Sequence, residues 1–343
     1  NVTIRGTFYD VGCIVGGTGI PVTIENCSVS GASIVGGYCI GGIVGEIQCE
    51  YTDEYKSVIK NCSFQGNVVG TDAIDVAYSW YTTEVGGISG ILLGNVSVSG
   101  CHSTLDFTNN SSLGVALGGI SGQAQSSSKT QYTTISYCVC ENSTLINNKG
   151  NSTGGIIGYL FQGRIDNCKV KNLTVDGYLV GGIVANFNGG YSSSDVYAEG
   201  YIIENCQVIN SKLKAISNIG GVAGLVLCCF WWISGCTVSS CTIEGKEGPV
   251  GGVGGNINGS GVDRCKVTDT VIKAINDDYS NNGFASGGIL AFSYASPLRS
   301  CEVQGCSIYG ANYIGGLLSC GYSSYNEAKI PSSYMIQNSK VLD

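Results

Sequence analysis

The feature that most constrains this chain is a two-part repeat that extends from its first residues to its last. One part is a Gly-Gly-Ile/Val-x-Gly-like signature, which begins at Gly41, Gly86, Gly118, Gly154, Gly181, Gly220, Gly251, Gly287 and Gly315, with a variant at Gly12. Successive signatures lie 27 to 45 residues apart, and the order of the parts never changes, so the insertions fall in loops. This pattern is typical of a solenoid, in which each unit buries its apolar face only by stacking on its neighbours.

The other part of the repeat is a short strand pattern with a cysteine at its centre, as in Ile165-Asp-Asn-Cys-Lys-Val170. The shortest unit, 154–181, has room for three short strands separated by turns before the glycines return. Paired glycines suit a coil corner, where the backbone has a positive φ or comes too close to a neighbour for a Cβ. We therefore predict an all-β fold in which residues 1–343 form one parallel β-solenoid domain, β-helix-like, of about ten coils with long loop insertions.

Composition agrees with this fold and excludes several partners. Glycine is abundant (53 residues), charged residues make up 12%, and the β-branched residues that favour strands are common. A net charge of −8 with only 17 Lys and Arg argues against nucleic acid, which requires a basic patch. The longest apolar stretch, 225–233, is about half of the roughly 20 residues needed to cross a bilayer, so we predict no membrane span.

Two neighbouring segments carry a resemblance to a known family. Gly154-Gly-Ile-Ile-Gly158 followed by Gly163-Arg-Ile-Asp-Asn-Cys-Lys-Val170 resembles the GLUG repeat, which joins Gly-Gly-Leu-Val-Gly to an Ile-x-Asn-Cys strand. The resemblance extends over essentially the whole chain. GLUG repeats occur in large surface and secreted proteins, including adhesin-like proteins and regions appended to surface peptidases, where they are not known as catalytic parts. The resemblance implies an extracellular protein, secreted or at the cell surface.

Eighteen cysteines in so apolar a chain indicate an oxidising compartment. Nine occupy one repeat position and form a predicted column: Cys27, Cys62, Cys101, Cys138, Cys168, Cys206, Cys236, Cys265 and Cys301. At the strand spacing of about 4.8 Å they either pack as a ladder of buried thiols, the interpretation we favour, or form disulfides. Outside the column, we expect Cys39, Cys49, Cys241, Cys306 and Cys320 to be bridged. Since no two C-x-x-C halves occur, we predict no metal site and no cofactor.

Asparagines mark two kinds of position. Asn26, Asn61, Asn167 and Asn205 precede column cysteines and are predicted to form a ladder at a coil bend. Asn26 and Asn61 also begin Asn-x-Ser/Thr sequons, but we favour the ladder there. Sequons at other asparagines predict covalent N-glycans and a secretory route. These candidate glycosylation sites are Asn1, Asn95, Asn109, Asn110, Asn142, Asn151, Asn172 and Asn258. Asn142 and Asn172 lie four residues after a column cysteine, so we expect glycans on both at equivalent outward turns.

The sequence contains little evidence of catalytic residues, and we predict that the chain is not an enzyme. The one histidine, His102, follows Cys101, but successive strand residues point to opposite faces, so a Cys/His dyad would not form. The acidic pairs at 53–54 and 277–278 are interpreted as solvated turns. The alternative is a carbohydrate-binding or polysaccharide-cleaving solenoid, which would present an acidic and aromatic cluster on one outer face.

Three adjacent aromatic residues, Phe230, Trp231 and Trp232, cannot all point inward along a strand. At least one is therefore expected at the surface. It would contact a sugar or another subunit, or the segment would fold over the coil edge as a local cap.

Both ends of the chain read as ordinary repeat sequence. Residues 335–341 match the Ile-x-Asn-Cys-x-Val pattern, with Ser339 in the cysteine column, and residues 1–6 match 172–177. An atypical capping repeat is visible at neither end, although solenoids usually have one. We therefore expect head-to-tail self-association into a homopolymer, making the chain a structural subunit of a surface filament or adhesin. The alternative is that these residues were excised from a longer repeat protein.

Overall fold

A computed structural model of the chain describes residues 2–6, 9–49, 56–71, 83–110, 114–126, 132–189, 201–227, 232–275, 285–294, 296–310, 312–322 and 336–343. Four features singled out in the sequence lie outside these ranges: Asn1, Phe230 with Trp231, and the acidic pairs at 53–54 and 277–278. Within them, no helix is long and apolar enough to span a membrane.

The described strands form three parallel sheets, which the chain visits in the same order in every coil. Sheet 2 and sheet 3 contain ten strands each, and every strand except the first and the last of each sheet pairs with its equivalents in the coils before and after it. Sheet 1 is the longest side of the coil and contains 25 short strands, because most coils cross it in two or three segments. The predicted parallel β-solenoid is therefore confirmed.

The strand bounds follow the chain through each sheet in turn. Sheet 1 comprises Val2–Arg5, Val11–Gly12, Ser28–Gly36, Cys39–Gly41, Ser63–Gly70, Thr83–Gly86, His102–Asn109, Val115–Gly118, Val139–Glu141, Thr144–Gly154, Lys169–Lys171, Thr174–Gly181, Gln207–Ile209, Lys212–Ala215, Ile219–Gly220, Thr237–Ser239, Thr242–Gly245, Val250–Gly251, Lys266–Thr268, Val271–Ala274, Ala285–Gly287, Glu302–Gln304, Ser307–Tyr309, Tyr313–Gly315 and Lys340–Leu342. Sheet 2 comprises Val15–Thr18, Val44–Cys49, Ser89–Gly94, Ser121–Gln125, Ile157–Phe161, Val184–Asn188, Ala223–Leu227, Gly254–Asn258, Leu290–Tyr294 and Leu318–Tyr322. Sheet 3 comprises Thr23–Glu25, Ser57–Lys60, Val96–Ser99, Thr133–Ser136, Gly163–Asp166, Tyr201–Glu204, Trp232–Ser234, Gly261–Asp263, Leu298–Arg299 and Ile336–Gln337.

The core is a set of columns that run along the solenoid axis. Inward side chains at equivalent positions stack on one another and are fully buried, as in the column of Ile43, Ile88, Ile120, Ile156 and Ile183. Such columns explain the repeat, because an apolar side chain at each position is covered only by its counterparts in the adjacent coils.

Two turns in each regular coil are made by a single residue with left-handed backbone geometry. The first lies between sheet 3 and sheet 1, where Asn26, Asn61, Asn167, Asn205 and Asn338 have φ between 49° and 57°. The second lies within sheet 1, where Asn142, Asn172 and Asn210 have φ between 49° and 55°. Asparagine tolerates this conformation better than most residues, which accounts for its recurrence at both turns.

The paired glycines lie at the corner between sheet 1 and sheet 2, and close approach explains them. A Cβ on Gly182 would lie 2.0 Å from the carbonyl oxygen of Gly221 in the next coil. Gly182 is not among the described residues with positive φ. Of the two explanations for these glycines, the structure therefore selects tight packing of adjacent coils.

Candidate functional site

The column cysteines lie directly after the first turn and point into the core. Column members from Cys62 to Cys301 are at most 1% exposed, and Cys27 in the first coil is half-buried. Each thiol donates to a backbone carbonyl two residues earlier, as Cys62 Sγ does to Lys60 O at 3.3 Å. In-register parallel neighbours hold their Cβ atoms about 4.8 Å apart, beyond the roughly 3.5–4.5 Å of a disulfide. All described column cysteines are accordingly free thiols.

The cysteines expected to be bridged also form no disulfide among the described residues. Cys39, Cys241, Cys306 and Cys320 are free thiols in the described part of the chain, and Cys49 forms no disulfide there. The reason is register, because the residues that stack beside them are not cysteines. Cys39 pairs with Glu84, and Cys320 pairs with Phe292. The disulfide prediction is therefore corrected for these five positions.

The thiols of Cys62 and Cys140 are poorly suited to act as nucleophiles. Burial raises the pKa of Cys62, and it raises the pKa of Cys140 to about 12. A thiol with a raised pKa is protonated at neutral pH, whereas the reactive form is the thiolate. Cys101 is buried, while its neighbour His102 points to the outer face, where its Nε2 lies 3.1 Å from Glu141 Oε1.

Asparagine amides form ladders at both turns. At the first turn, Asn61 Nδ2 donates to Asn26 Oδ1 at 3.4 Å. At the second turn the bonds are shorter, since Asn172 Nδ2 donates to Asn142 Oδ1 at 2.8 Å and Asn210 Nδ2 donates to Asn172 Oδ1 at 2.7 Å. Asn142 and Asn172 therefore do occupy equivalent turns, but this turn also carries an amide ladder, which the sequence analysis assigned only to the first turn.

Other sequon asparagines and the remaining aromatic candidate lie on the flanks of the solenoid. Asn110 and Asn151 are exposed, and Asn95, Asn109 and Asn258 are half-buried. Trp232, the one described member of the aromatic triplet, is a half-buried outward residue of sheet 3. The guanidinium carbon of Arg299 lies 4.9 Å from its ring centroid, a cation–π contact within the molecule.

An acidic cluster near the first corner was missed by the sequence analysis. Asp10, Cys39 and Glu46 bring their polar atoms within 4.8 Å of one another, and the buried Glu84 lies 3.8 Å from Cys39 Sγ. Asp10 and Glu46 also line a surface cavity of about 440 Å³ with Tyr9, Thr18 and Gln48. Burial and the surrounding carboxylates raise the pKa of Cys39, so this thiol stays protonated at neutral pH.

The cluster predicts a pH-dependent stability. Burial raises the pKa of the Asp10 carboxyl, although hydrogen bonds with Glu46 and Cys39 oppose that shift. A raised carboxyl pKa favours the protonated folded state, so this contribution is present at low pH and is lost as the pH rises through the folded pKa. We expect Asp10→Asn to raise the melting temperature at pH 7 and to have no effect near pH 3, where both side chains are neutral.

Thermal melts across this pH range test the expectation, with Glu25→Gln as a control at an exposed carboxylate. A lower melting temperature for Asp10→Asn at pH 7 would contradict it, because that result would mean that the charged carboxylate stabilises the fold.

The two end coils expose several large apolar residues. We define the leading end by Val2, Ile14 and Ile20, and the trailing end by Ile314, Ile336 and Val341, all of which are exposed. Val341 is 54% exposed, whereas Val303, its register partner in the preceding coil, is 1% exposed. Ile14 is 49% exposed although it stacks on the fully buried Ile43. Each end therefore presents an apolar face.

The strands of the two ends also carry free edges. Among the described strands, five segments at the trailing end pair on one side only: Ser307–Tyr309, Tyr313–Gly315, Leu318–Tyr322, Ile336–Gln337 and Lys340–Leu342. At the leading end the equivalent segments are Val2–Arg5, Val11–Gly12, Val15–Thr18, Thr23–Glu25 and residues 28–30. Unpaired edges of this kind are templates for adding another strand.

Three comparisons with known proteins bear on these observations. Residues 149–176 match the family model described as the GLUG motif. The search of curated proteins found no match. Among solved structures, the chain is similar to one described as "a putative immunoglobulin A1 protease from Bacteroides ovatus", with 18% identity over 85% of this chain and 79% of that one. The TM-score of that pair is 0.35, which supports no conclusion about function.

The motif match covers most of the shortest repeat unit, residues 154–181. Its residues supply a sheet 2 strand, Ile157–Phe161, a sheet 3 strand, Gly163–Asp166, and the column residue Cys168. The chain is thus a parallel β-solenoid that carries the GLUG motif at residues 149–176.

Proposed function

We propose that this chain is an extracellular structural subunit of a surface filament or adhesin, and that subunits join head to tail through their two ends. The observation that carries the proposal is the pair of apolar end faces with free strand edges. Stacking one end on the other would cover Val341 and Ile14 as the same columns are covered inside the solenoid. Burying apolar area and pairing open edges both favour association.

The register of the solenoid specifies how two subunits would meet. Lys340–Leu342 of one subunit would pair with residues 28–30 of the next, and Ser307–Tyr309 would pair with Val2–Arg5. Sheets 2 and 3 would continue through Leu318–Tyr322 on Val15–Thr18 and through Ile336–Gln337 on Thr23–Glu25. Tyr313–Gly315 would pair with Val11–Gly12, so every free segment of one end would find a partner on the other. Because this contact joins two different surfaces, it does not close and a filament grows.

The proposal includes a non-catalytic role and N-glycans on the flanks. The thiols of Cys62 and Cys140 are protonated at neutral pH, and His102 faces Glu141 rather than a nucleophile, which supports the proposed absence of catalytic activity. Asn142 is exposed and is the first member of its ladder, with its Oδ1 accepting from Asn172. A glycan there would project away from both ends. Peptide mapping of native material before and after deglycosylation measures this, and an unmodified Asn142 would count against it.

Electron microscopy of the purified chain tests the assembly. We expect filaments whose axial repeat is about 50 Å, since ten coils advance by about 4.8 Å each. Dispersed monomers at high protein concentration would contradict the proposal and would favour a segment whose ends are covered by other parts of a longer chain.

A charged substitution on an end face tests filament assembly without disturbing the fold. Val341→Asp changes a residue that is already exposed, so we expect a folded subunit with an unchanged melting temperature that no longer forms filaments. Tyr178→Asp, at an exposed flank position, is the matched control and is expected to assemble normally. Equal filament lengths for both variants would mean that the trailing end is not the contact surface.

A further inference from the structure

The outer face of sheet 2 differs in chemistry from the other outer faces. In the strands from Ser121–Gln125 to Leu290–Tyr294, the third and fifth residues point outward and are half-buried. None of these twelve residues in six successive coils is charged. The outward positions of sheet 3, by contrast, include Asp166, Glu204, Asp263 and Arg299. We call this uncharged surface of sheet 2 the outer stripe.

Amide and apolar residues alternate strictly along the outer stripe. The amide pairs, which occur in every second coil, are Gln123 with Gln125, Asn186 with Asn188, and Asn256 with Asn258. The pairs in the intervening coils are Tyr159 with Phe161, Leu225 with Leu227, and Phe292 with Tyr294. Strand register places these pairs directly beside one another. The pattern therefore repeats every two coils, which is roughly 9.6 Å.

Two amides within the stripe have unmet hydrogen-bonding capacity. Asn186 Oδ1 and Asn256 Oδ1 are shielded from solvent and accept no hydrogen bond. An unpaired acceptor costs free energy, and a ligand donor would recover that cost once the amide side chain turns outward to meet it. Both atoms lie between apolar pairs, since Asn186 stands beside Tyr159 and Leu225, and Asn256 stands beside Leu225 and Phe292.

The dimensions of the stripe favour a single extended chain as its occupant. It is two side chains wide, about 10 Å, and five strand spacings long, about 24 Å, which gives an area of roughly 250 Å². A stable contact between two protein molecules buries about 800 Å² on each partner, so the stripe alone is too small to hold a second copy.

The chemistry of the stripe selects the class of that chain. Amides offer a donor and an acceptor together, as the hydroxyl groups of a sugar do, while Tyr, Phe and Leu side chains cover apolar faces. An uncharged surface gives no advantage to a polyanion or a polycation. We propose that the outer stripe binds a neutral, linear polysaccharide that lies along the solenoid axis. This site is independent of the head-to-tail contact, which uses the ends and not the flank.

Affinity gel electrophoresis with soluble glycans tests the proposal on protein produced without N-glycans, because Asn258 also begins a sequon. The probes are hydroxyethyl cellulose, a mannan and dextran as neutral chains, and polygalacturonate as a charged one. We expect retardation by at least one neutral chain that is insensitive to salt, since no ion pair contributes. Failure of all three neutral probes to retard the protein would overturn the proposal, as would salt-sensitive binding of polygalacturonate alone.

Variants locate the binding surface. The double variant Tyr159→Ala and Phe292→Ala removes two half-buried outward rings in separate coils, and we expect at least tenfold weaker binding with folding retained. Tyr137→Ala, at a residue 64% exposed on the first turn, is the matched control and should bind normally. Equal loss in both variants would overturn the proposal.

A second variant adds a charge to the stripe instead of removing a ring. Asn256→Asp keeps the size of the side chain, so we expect a folded protein that also binds more weakly. Sedimentation of the parent and the double variant is the last measurement. If the parent is a dimer and the double variant is a monomer, the stripe binds a second copy of the chain, and the glycan site is overturned.

Discussion

Val170→Asp is expected to lower the free energy of unfolding by about 4 kcal/mol. Val170 is fully buried in sheet 1, in register between Cys140 and Val208 of the adjacent coils. Losing the burial of the valine side chain costs about 1.5–3 kcal/mol. Burying a carboxyl group without a partner costs about 1–3 kcal/mol more, even when the group takes up a proton to avoid its charge.

In a solenoid, this substitution destabilises more than the coil that carries it. Each coil contacts only its neighbours, so destabilising one coil weakens the stacking on both sides of it. Urea denaturation measures the effect, with Lys171→Asp as the control, because Lys171 lies on the same strand and points outward. We expect the control to stay within about 0.5 kcal/mol of the parent. A Val170→Asp variant whose free energy of unfolding stays within about 0.5 kcal/mol of the parent would show that the position tolerates a polar group.

The fold was predictable because the repeat encodes it locally. One turn of coil needs an inward apolar residue on each strand, a turn residue and a glycine corner, and all three recur in stretches such as 154–177. The buried thiol column followed from the same periodicity. The disulfides did not, because the number of cysteines says nothing about register, and it is register that places Glu84 beside Cys39.

The features that the sequence analysis missed arise from relations between coils. Asp10, Cys39 and Glu84 belong to three successive coils and to no repeated polar position, so nothing in one unit brings them together. The outer stripe has a period of two coils, whereas alignment of the repeats compared single coils. Asn210, which extends the ladder of Asn142 and Asn172, begins no Asn-x-Ser/Thr sequon and so carried no signal of its own.

Gly182→Ala is expected to destabilise the chain by about 2–3 kcal/mol, against the usual direction of a glycine-to-alanine change. An added Cβ would lie 2.0 Å from Gly221 O and 2.9 Å from Val208 Cγ2. The carbonyl belongs to the paired backbone of the next coil and cannot move without breaking strand pairing, so the coils must separate locally. Overpacking of this kind costs about 1–3 kcal/mol and sometimes more, which exceeds the roughly 0.4–1 kcal/mol gained from a less flexible unfolded chain.

The same substitution at Gly19 isolates the packing effect from the effect on the unfolded state. Nothing lies within 4 Å of a Cβ built on Gly19, so Gly19→Ala is expected to stabilise the protein by about 0.4–1 kcal/mol. Denaturation of the two variants side by side should therefore give shifts of opposite sign. Shifts of the same sign would mean that the adjacent coils can accommodate a methyl group at the corner, and that tight stacking is not the reason for the second glycine of the signature.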